Sequence, residues 1–168
     1  MTPIETERKY IIEMPRLDIL SGMAGYTRSE IEQIYLPSAS GVTRRIRRRD
    51  FGGKVVYTET VKRRIDSLSS FEDEREISAE EYERERENIA EGSRPVVKCR
   101  HTAEYLGKTL EIDIYPEWDR CAVLEVELSS PDEKIALPGF IRVISEVTGR
   151  REYSNASLAR RFPPEPEL

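Results

Sequence analysis

Charged residues alternate along the first segment of the chain, in a pattern that could form an ion-binding site. Glu5, Glu7 and Lys9 stand at alternate positions, and in a β-strand such positions face the same side. That face would be acid, acid and base, whereas Ile4 and Tyr10 would face the other side. The arrangement favours a strand whose charged face lines a wet cavity.

Later segments repeat this alternation with blocks of one sign. The basic blocks are Arg45, Arg47 and Arg49; Thr60 and Lys62; and Lys98 and Arg100. The acidic blocks are Glu72, Glu74 and Glu76; Glu111 and Asp113; and Glu125 and Glu127. For any single strand the ordinary explanation is a half-buried sheet with one solvated face. Several acidic pairs brought together, however, would repel each other unless a cation neutralised them.

The residue types indicate which ions such a site would hold. Carboxylates supply the oxygen ligands that Mg²⁺ and Mn²⁺ prefer. Arginine, which makes up 21 of the 27 basic residues, carries a rigid fork of donors that matches phosphate oxygens. Acids that hold a metal and bases that bind an anion would suit a linear phosphate chain.

Composition limits the classes of protein to which the chain can belong. Its 168 residues fit one domain, and we expect residues 1–162 to form it and residues 163–168 to fray. The net charge of -5 disfavours nucleic-acid binding. No apolar run approaches the ~20 residues of a membrane span, and the two cysteines lack metal-site spacing. A cytoplasmic protein without membrane partners is expected.

The predicted elements are mainly strands. They cover residues 4–12, 31–36, 42–49, 54–62, 71–77, 96–102, 109–115 and 123–128. Gly52–Gly53 predicts a hairpin turn, and Ser78, with Glu81 three residues later, predicts a helix that ends near Gly92. Further helices are predicted over residues 16–25, from Lys134 or Gly139 to Val147, and as one turn within residues 155–162. The chain is thus expected to be an α+β domain with a mainly antiparallel sheet.

Two architectures are compatible with strands that have one charged face and one apolar face. The sheet can lie open to water, with helices on its apolar side. Alternatively, it can close into a barrel that holds the charges in a narrow lumen and has no exposed strand edges.

The motifs resemble, in order, those of the CYTH domains, also called triphosphate tunnel metalloenzymes. ETERK (5–9) resembles the ExExK signature that opens these domains, and the later matches are QIYL (33–36), RIR (45–47), TVK (60–62), EDE (72–74), KCR (98–100), EID (111–113), LEVEL (124–128) and VTGRREYSN (147–155). Two departures occur. Around the middle ExE, Ser70 stands where an arginine often precedes it, and Glu76 adds a third acid. Near the C-terminus, Glu152 precedes Tyr153 where an arginine is common. Either Glu72/Glu74 or Glu74/Glu76 could therefore be the site pair.

The resemblance implies an eight-stranded antiparallel β-barrel, or tunnel, with a few flanking helices. It also implies a metal-dependent hydrolase of a linear triphosphate that uses Mg²⁺ or Mn²⁺. The oligomeric state is left open, with a homodimer as one alternative. The implied metal ligands are Glu5, Glu7, Glu125 and Glu127. The implied phosphate-binding residues are Lys9, Arg45, Arg47, Lys62, Lys98 and Arg100. Glu72, Glu74, Glu111 and Asp113 would hold a second metal or orient water, and Lys98 would act as a base.

Two other functions remain open. One is a class IV-type adenylyl cyclase, although no aromatic residues near the strands indicate a purine pocket. The other is a non-catalytic module that binds polyphosphate or a nucleotide. Such a module would be expected to lose acids that this chain keeps.

Overall fold

A closed barrel of eight antiparallel strands forms the body of the protein, as the computed structural model of residues 4–168 shows. Its strands are β1 (Ile4–Glu13), β2 (Thr27–Leu36), β3 (Val42–Phe51), β4 (Lys54–Arg64), β5 (Ser69–Glu76), β6 (Val96–Tyr105), β7 (Lys108–Ile114) and β8 (Cys121–Glu127). A ninth strand, β9 (Val143–Glu146), and three helices, α1 (Leu17–Leu20), α2 (Ala79–Arg86) and α3 (Asn155–Arg160), complete the fold. The predicted barrel with flanking helices is confirmed.

Strand β1 closes the barrel. It pairs with β8 along Glu7–Glu13, and its other edge pairs first with β5, over Ile4–Thr6, and then with β9, over Tyr10–Ile12. The remaining strands follow in the order β5, β4, β3, β2, β6, β7, β8. Closure leaves the charged faces of neighbouring strands around one interior.

Much of the outward face of the barrel is apolar and covered. Ile112 and Leu124 belong to a buried cluster with Leu20 of α1. Ile46 packs in another cluster with Tyr82 of α2. Burial of these faces supplies the hydrophobic stabilisation of the barrel, so the charged residues at the intervening positions must face the interior.

Two local predictions hold. The Ser78 hydroxyl accepts a hydrogen bond from the Glu81 amide at 3.0 Å, which caps the first turn of α2. That helix ends at Arg86, one and a half turns before the predicted stop at Gly92. Gly52 and Gly53 have φ angles of 64° and 108°, so the β3–β4 turn uses a backbone conformation that other residues rarely adopt.

The helix predicted to end at Val147 is wrong. In the described part of the chain, residues 134–142 form no helix, and Val143–Glu146 is strand β9. The Tyr10–Ile12 part of β1 has no β5 partner, and the unpaired edge accepts this segment instead. A long-range pairing thus overrides the local helical preference.

The C-terminal segment closes the apolar end of the barrel. Ile11 and Val123 have the same strand parity as the charged inward positions, but they pack with Leu158 of α3. Trp118 joins this cluster with 3% of its surface exposed, so it anchors the packing of this end. Its indole Nε1 donates to the Pro163 carbonyl at 3.1 Å, so the tail expected to fray has a contact here.

Within residues 4–168, no helix combines the length and apolar character needed to traverse a bilayer.

Candidate functional site

The barrel interior contains a cavity of about 640 Å³. All eight barrel strands contribute to its lining, together with the loops before β3 and β5 and the segment that follows β9. Nine basic and six acidic residues line it. Eleven of the predicted site residues are among them: Glu5, Glu7, Lys9, Arg45, Arg47, Lys62, Glu72, Glu74, Arg100, Glu111 and Glu125.

Three predicted residues lie elsewhere. Lys98 and Asp113 are each 1% exposed and sit behind the lining. Glu127 is exposed at the end of β8, opposite Glu7 in the strand register. Glu76 is also exposed and does not line the cavity, whereas Glu72 and Glu74 do.

Strand β3 supplies a row of arginines to the cavity, the β3 arginines Arg45, Arg47 and Arg49. Arg47 donates through Nε and Nη2 to Gln33 Oε1 at 3.0 and 2.7 Å. Arg49 donates to Ser29 Oγ at 2.9 Å. The buried Nε of Arg45 has no hydrogen-bond partner among the described residues.

These arginines keep their charge without an acidic partner. Within residues 4–168 none of the three forms an ion pair. Burial and the neighbouring charges of Arg45 and Arg100 lower the pKa of Arg47 to about 9, so the guanidinium remains charged at neutral pH. A buried positive charge of this kind is stabilised by an anion in the cavity.

Carboxylates crowd together on β1 and its neighbours. Burial, a hydrogen bond with Glu72 and the charge of Glu7 raise the pKa of Glu5 to about 8. The charge of Glu125, together with burial, raises the pKa of Glu7 to about 7. Both shifts show that burial and the neighbouring carboxylates disfavour the ionised form of these groups.

Lysines neutralise part of this acidic group. Lys9 Nζ lies 3.1 Å from Glu125 Oε1, and Lys62 Nζ lies 3.3 Å from Glu72 Oε1. Burial by itself would raise the pKa of Glu125, but Lys9 and Arg100 lower it to about 2. Glu125 is therefore ionised, and Lys9 also donates to the Tyr153 carbonyl at 3.2 Å.

A buried ionic network supports the floor of the cavity. Asp113 accepts from Lys98 Nζ at 2.7 Å and from Arg100 Nε and Nη2 at 2.8 and 2.9 Å. Arg100 Nη1 also donates to Glu111 at 2.7 Å. The two cations hold the pKa of Asp113 well below its usual range, although burial opposes this effect.

Lys98 has the lowered pKa expected of it but not the expected access. Burial and the charges of Arg100 and Arg47 lower its pKa to about 7, against the opposing effect of Asp113. Its ammonium group is held by Asp113 and by Asn155 Oδ1, at 3.3 Å. A general base must come within hydrogen-bond reach of the proton it removes, and Lys98 would have to emerge from behind Asp113 to do so. Its role as a base stays a prediction.

Other lining residues had no predicted role in the site. Gln33 orients Arg47, and Tyr35 lines the cavity beside it; both lie in the QIYL motif, but they are uncharged and did not stand out. Arg49 and Arg64 could have been included because they share the strand faces of Arg47 and Lys62. Asn155 ends the VTGRREYSN motif, but it was given no role because its segment has no strand periodicity.

The donor set fits an oxygen-preferring divalent metal. In residues 4–168, no three acidic, histidine or cysteine side chains form a ready-made metal site. Nevertheless, burial and the repulsion between neighbouring carboxylates raise the pKa of Glu5 and Glu7, and a bound cation would relieve that repulsion. Carboxylate oxygens are the ligands that Mg²⁺ and Mn²⁺ prefer.

Solved structures with the same architecture include enzymes that act on triphosphates. The inorganic triphosphatase NE1496 is 24% identical with a TM-score of 0.61, over 97% of this chain and 98% of its own. The PH1819 protein from Pyrococcus horikoshii OT3 is 23% identical with a TM-score of 0.57, over 76% and 80%. HpAC1 from Hippeastrum, a putative adenylyl cyclase reported to have a dominant triphosphatase activity, is 16% identical with a TM-score of 0.52, over 74% and 80%.

No protein-family model matches the chain, and no curated protein matches its sequence. The likeness to the solved structures is therefore one of fold. It agrees with the ordered motifs of the sequence and with the charged interior to which those motifs contribute. The chain has the closed eight-stranded barrel of these structures, which is the fold that its resemblance to the CYTH motifs implied.

Proposed function

We propose that the protein hydrolyses the terminal phosphoanhydride bond of a linear triphosphate inside the barrel, with Mg²⁺ or Mn²⁺ as cofactor. The observation that carries the proposal is the row of β3 arginines, which lack acidic partners among the described residues and face the same cavity as the crowded carboxyl groups of Glu5 and Glu7. A polyanion bound together with a divalent cation satisfies both groups at once.

The basic side chains bind and orient the substrate. Arg45 and Arg47 present guanidinium groups to the cavity, and the phosphate oxygens are acceptors that match this fork geometry. Arg100 is held by Asp113 and Glu111, which fixes its direction. Lys9 and Lys62 add charge from β1 and β4, where each is already beside a carboxylate.

The acidic side chains divide into two roles. Glu5, Glu7 and Glu125 would hold the metal, with Glu127 at the end of β8 as a further ligand. The metal, when bound, neutralises charge on phosphate oxygens and so stabilises the transition state. Glu72, Glu74 and Glu111 would position the attacking water. Of these, Glu74 is oriented by the Thr60 hydroxyl, which donates to it at 2.8 Å.

Asp113 serves this site from behind the lining. Because it is buried and already accepts from Lys98 and Arg100, we assign it to positioning Arg100. Two of the solved structures support the reaction class, since one is named an inorganic triphosphatase and another is reported to have a dominant triphosphatase activity.

Phosphate release tests the proposal. Tripolyphosphate, ATP and thiamine triphosphate are incubated with the protein and Mg²⁺, Mn²⁺ or EDTA. We expect metal-dependent release that Glu7→Gln abolishes and Arg63→Gln retains, because Arg63 is exposed and lies outside the cavity lining. Cyclic AMP formed from ATP would indicate a cyclase instead. Binding of tripolyphosphate without release of phosphate would indicate a non-catalytic module.

A further inference from the structure

The outward face of β6 carries a thiol and an imidazole that the proposed function does not use. Cys99 and His101 lie two residues apart on this strand, so both point to the side opposite Arg100, which lines the cavity. His101 is 4% exposed, whereas Cys99 is partly open to solvent. The pair therefore places a buried base beside a thiol that a small molecule can reach.

Hydrogen bonds hold the imidazole between the thiol and a phenol. His101 Nε2 lies 3.5 Å from Cys99 Sγ, and His101 Nδ1 lies 2.8 Å from the Tyr26 hydroxyl. When the Nδ1–H group donates to the Tyr26 oxygen, the lone pair of Nε2 faces the thiol. Tyr26 itself packs against the buried cluster that contains Leu20, which fixes its position. The three side chains have the arrangement of a nucleophile, its base and a third group that orients the base.

The charges around this pair come from β2. Strand pairing places Glu30 opposite Cys99. It places Arg28 opposite His101, and Arg28 Nη2 donates to Glu30 Oε1 at 2.7 Å. On the other side of β6, strand β7 places uncharged isoleucines opposite the same two residues. The thiol and the imidazole thus lie beside one exposed cation and one exposed anion.

Both members of the pair are neutral at pH 7. Burial raises the pKa of the Cys99 thiol, and Glu30 adds to this effect while Arg28 opposes it. Burial and the charge of Arg28 lower the pKa of His101, against the charges of Glu30 and of Asp113 in the interior. A neutral imidazole can accept a proton, and a thiol with a raised pKa needs such a base to react near neutrality.

We propose that Cys99 is a site of reversible mixed-disulfide formation with a low-molecular-weight disulfide, and that His101 is the base that activates it. His101 Nε2 takes the proton of the thiol, and Cys99 Sγ attacks one sulfur of the small disulfide. The new S–S bond forms as the old one breaks, and the leaving sulfur keeps the electron pair and takes up the proton. Cys99 is oxidised, the leaving half of the small disulfide is reduced to a thiol, and an excess of that thiol reverses the step.

The second cysteine of the chain lacks this environment. Cys121 is 0% exposed, and its thiol donates to the Pro166 carbonyl at 3.6 Å. His101 is the only histidine in the sequence, so Cys121 has no comparable base. The substitution Cys121→Ser keeps a donor for Pro166 and leaves Cys99 as the sole thiol.

Mass spectrometry of the intact protein tests the proposal. The Cys121→Ser protein is incubated with glutathione disulfide at pH 7.5, and the addition of one glutathionyl group is followed with time. We expect an adduct that excess glutathione removes and that a further Cys99→Ser substitution prevents. His101→Gln should slow the addition by at least about tenfold, and Tyr26→Phe should slow it less. At pH 10, where thiolate forms without a base, the effect of His101→Gln should shrink.

Glu30→Gln is the matched control, because Glu30 faces the same thiol but raises its pKa. This variant should react as fast as its parent or faster. Circular dichroism shows whether each variant folds, and Tyr26→Phe decides the outcome if His101→Gln does not. No adduct in the parent, equal rates in the parent and the folded His101 and Tyr26 variants, or a slower reaction in Glu30→Gln would overturn the proposal. Phosphate release takes no part in the measurement, so its result is separate from that of the proposed hydrolysis.

Discussion

Arg47 and Gln33 face each other across the pairing of β2 with β3, and two nitrogens of the arginine donate to the single amide oxygen of the glutamine. Both side chains are buried. Because the amide is neutral, it fixes the direction of the guanidinium without cancelling its charge. A carboxylate in the same place would orient Arg47 equally well but would compete with the phosphate.

Gln33→Glu tests this relationship. The new carboxylate would pair with Arg47, so KM for the triphosphate should rise about tenfold, with a smaller change in kcat. The measurement is steady-state phosphate release across substrate concentrations. Gln33→Leu serves as a comparison, since it removes the orienting oxygen but leaves the charge. An unchanged KM in Gln33→Glu would mean that Arg47 does not contact the substrate.

Glu7→Gln should make the metal-free protein more stable at alkaline pH. The folded-state pKa of Glu7 is about 7, against an ordinary value of 4.5, so folding favours its protonated form. That stabilisation is complete below pH 4.5 and is lost as the pH rises through 7. The variant does not titrate, and its advantage over the wild type should reach about 3 kcal/mol at pH 8.

Urea unfolding in EDTA at pH 5 and pH 8 measures this difference. Glu127→Gln is the control, because Glu127 is opposite Glu7 in the register but exposed, and its effect should be smaller. Added Mg²⁺ or Mn²⁺ should stabilise the wild type more than Glu7→Gln. If the metal stabilised both proteins equally, Glu7 would not be a ligand.

Lys98→Met should destabilise the fold more than it alters the pH dependence of the reaction. Removing one partner of a buried ion pair costs about 3–5 kcal/mol, less whatever Arg100 still provides to Asp113. Thermal unfolding gives the loss, and a pH–rate profile at a temperature where the variant is folded gives the mechanism. Because Lys98 does not line the cavity, the rate should change with pH near neutrality in the variant as it does in the wild type. If the rate of the variant no longer changed with pH in that range, the result would support Lys98 as the base.

Local patterns predicted much of the fold. Ser78 caps α2 as expected, and the Gly52–Gly53 turn joins β3 to β4. Such features depend on neighbouring residues alone, so a sequence reports them directly. Strand β9 was missed because its pairing with Ile11 and Ile12 of β1 joins parts of the chain more than a hundred residues apart.

The candidate site, like the fold, could be predicted only in part from local sequence patterns. Alternation predicted that Glu7, Arg45 and Glu125 lie on the charged faces of their strands, because a strand places every second residue on one face. The resemblance to the CYTH motifs implied that these faces enclose one interior. Alternation of charge could not predict a role for Gln33, because this residue is uncharged. Gln33 orients Arg47 only because strand pairing places the arginine opposite it.

The sequence alone therefore determined which side chains face the interior, and the tertiary structure decided how deep each one lies. Lys9 and Lys98 share the same strand pattern, but Lys9 lines the cavity and Lys98 is enclosed behind Asp113. The period of two describes one strand at a time. Depth depends on the stagger of neighbouring strands around a closed barrel and on the C-terminal segment, which closes one end through contacts such as Asn155 with Lys98.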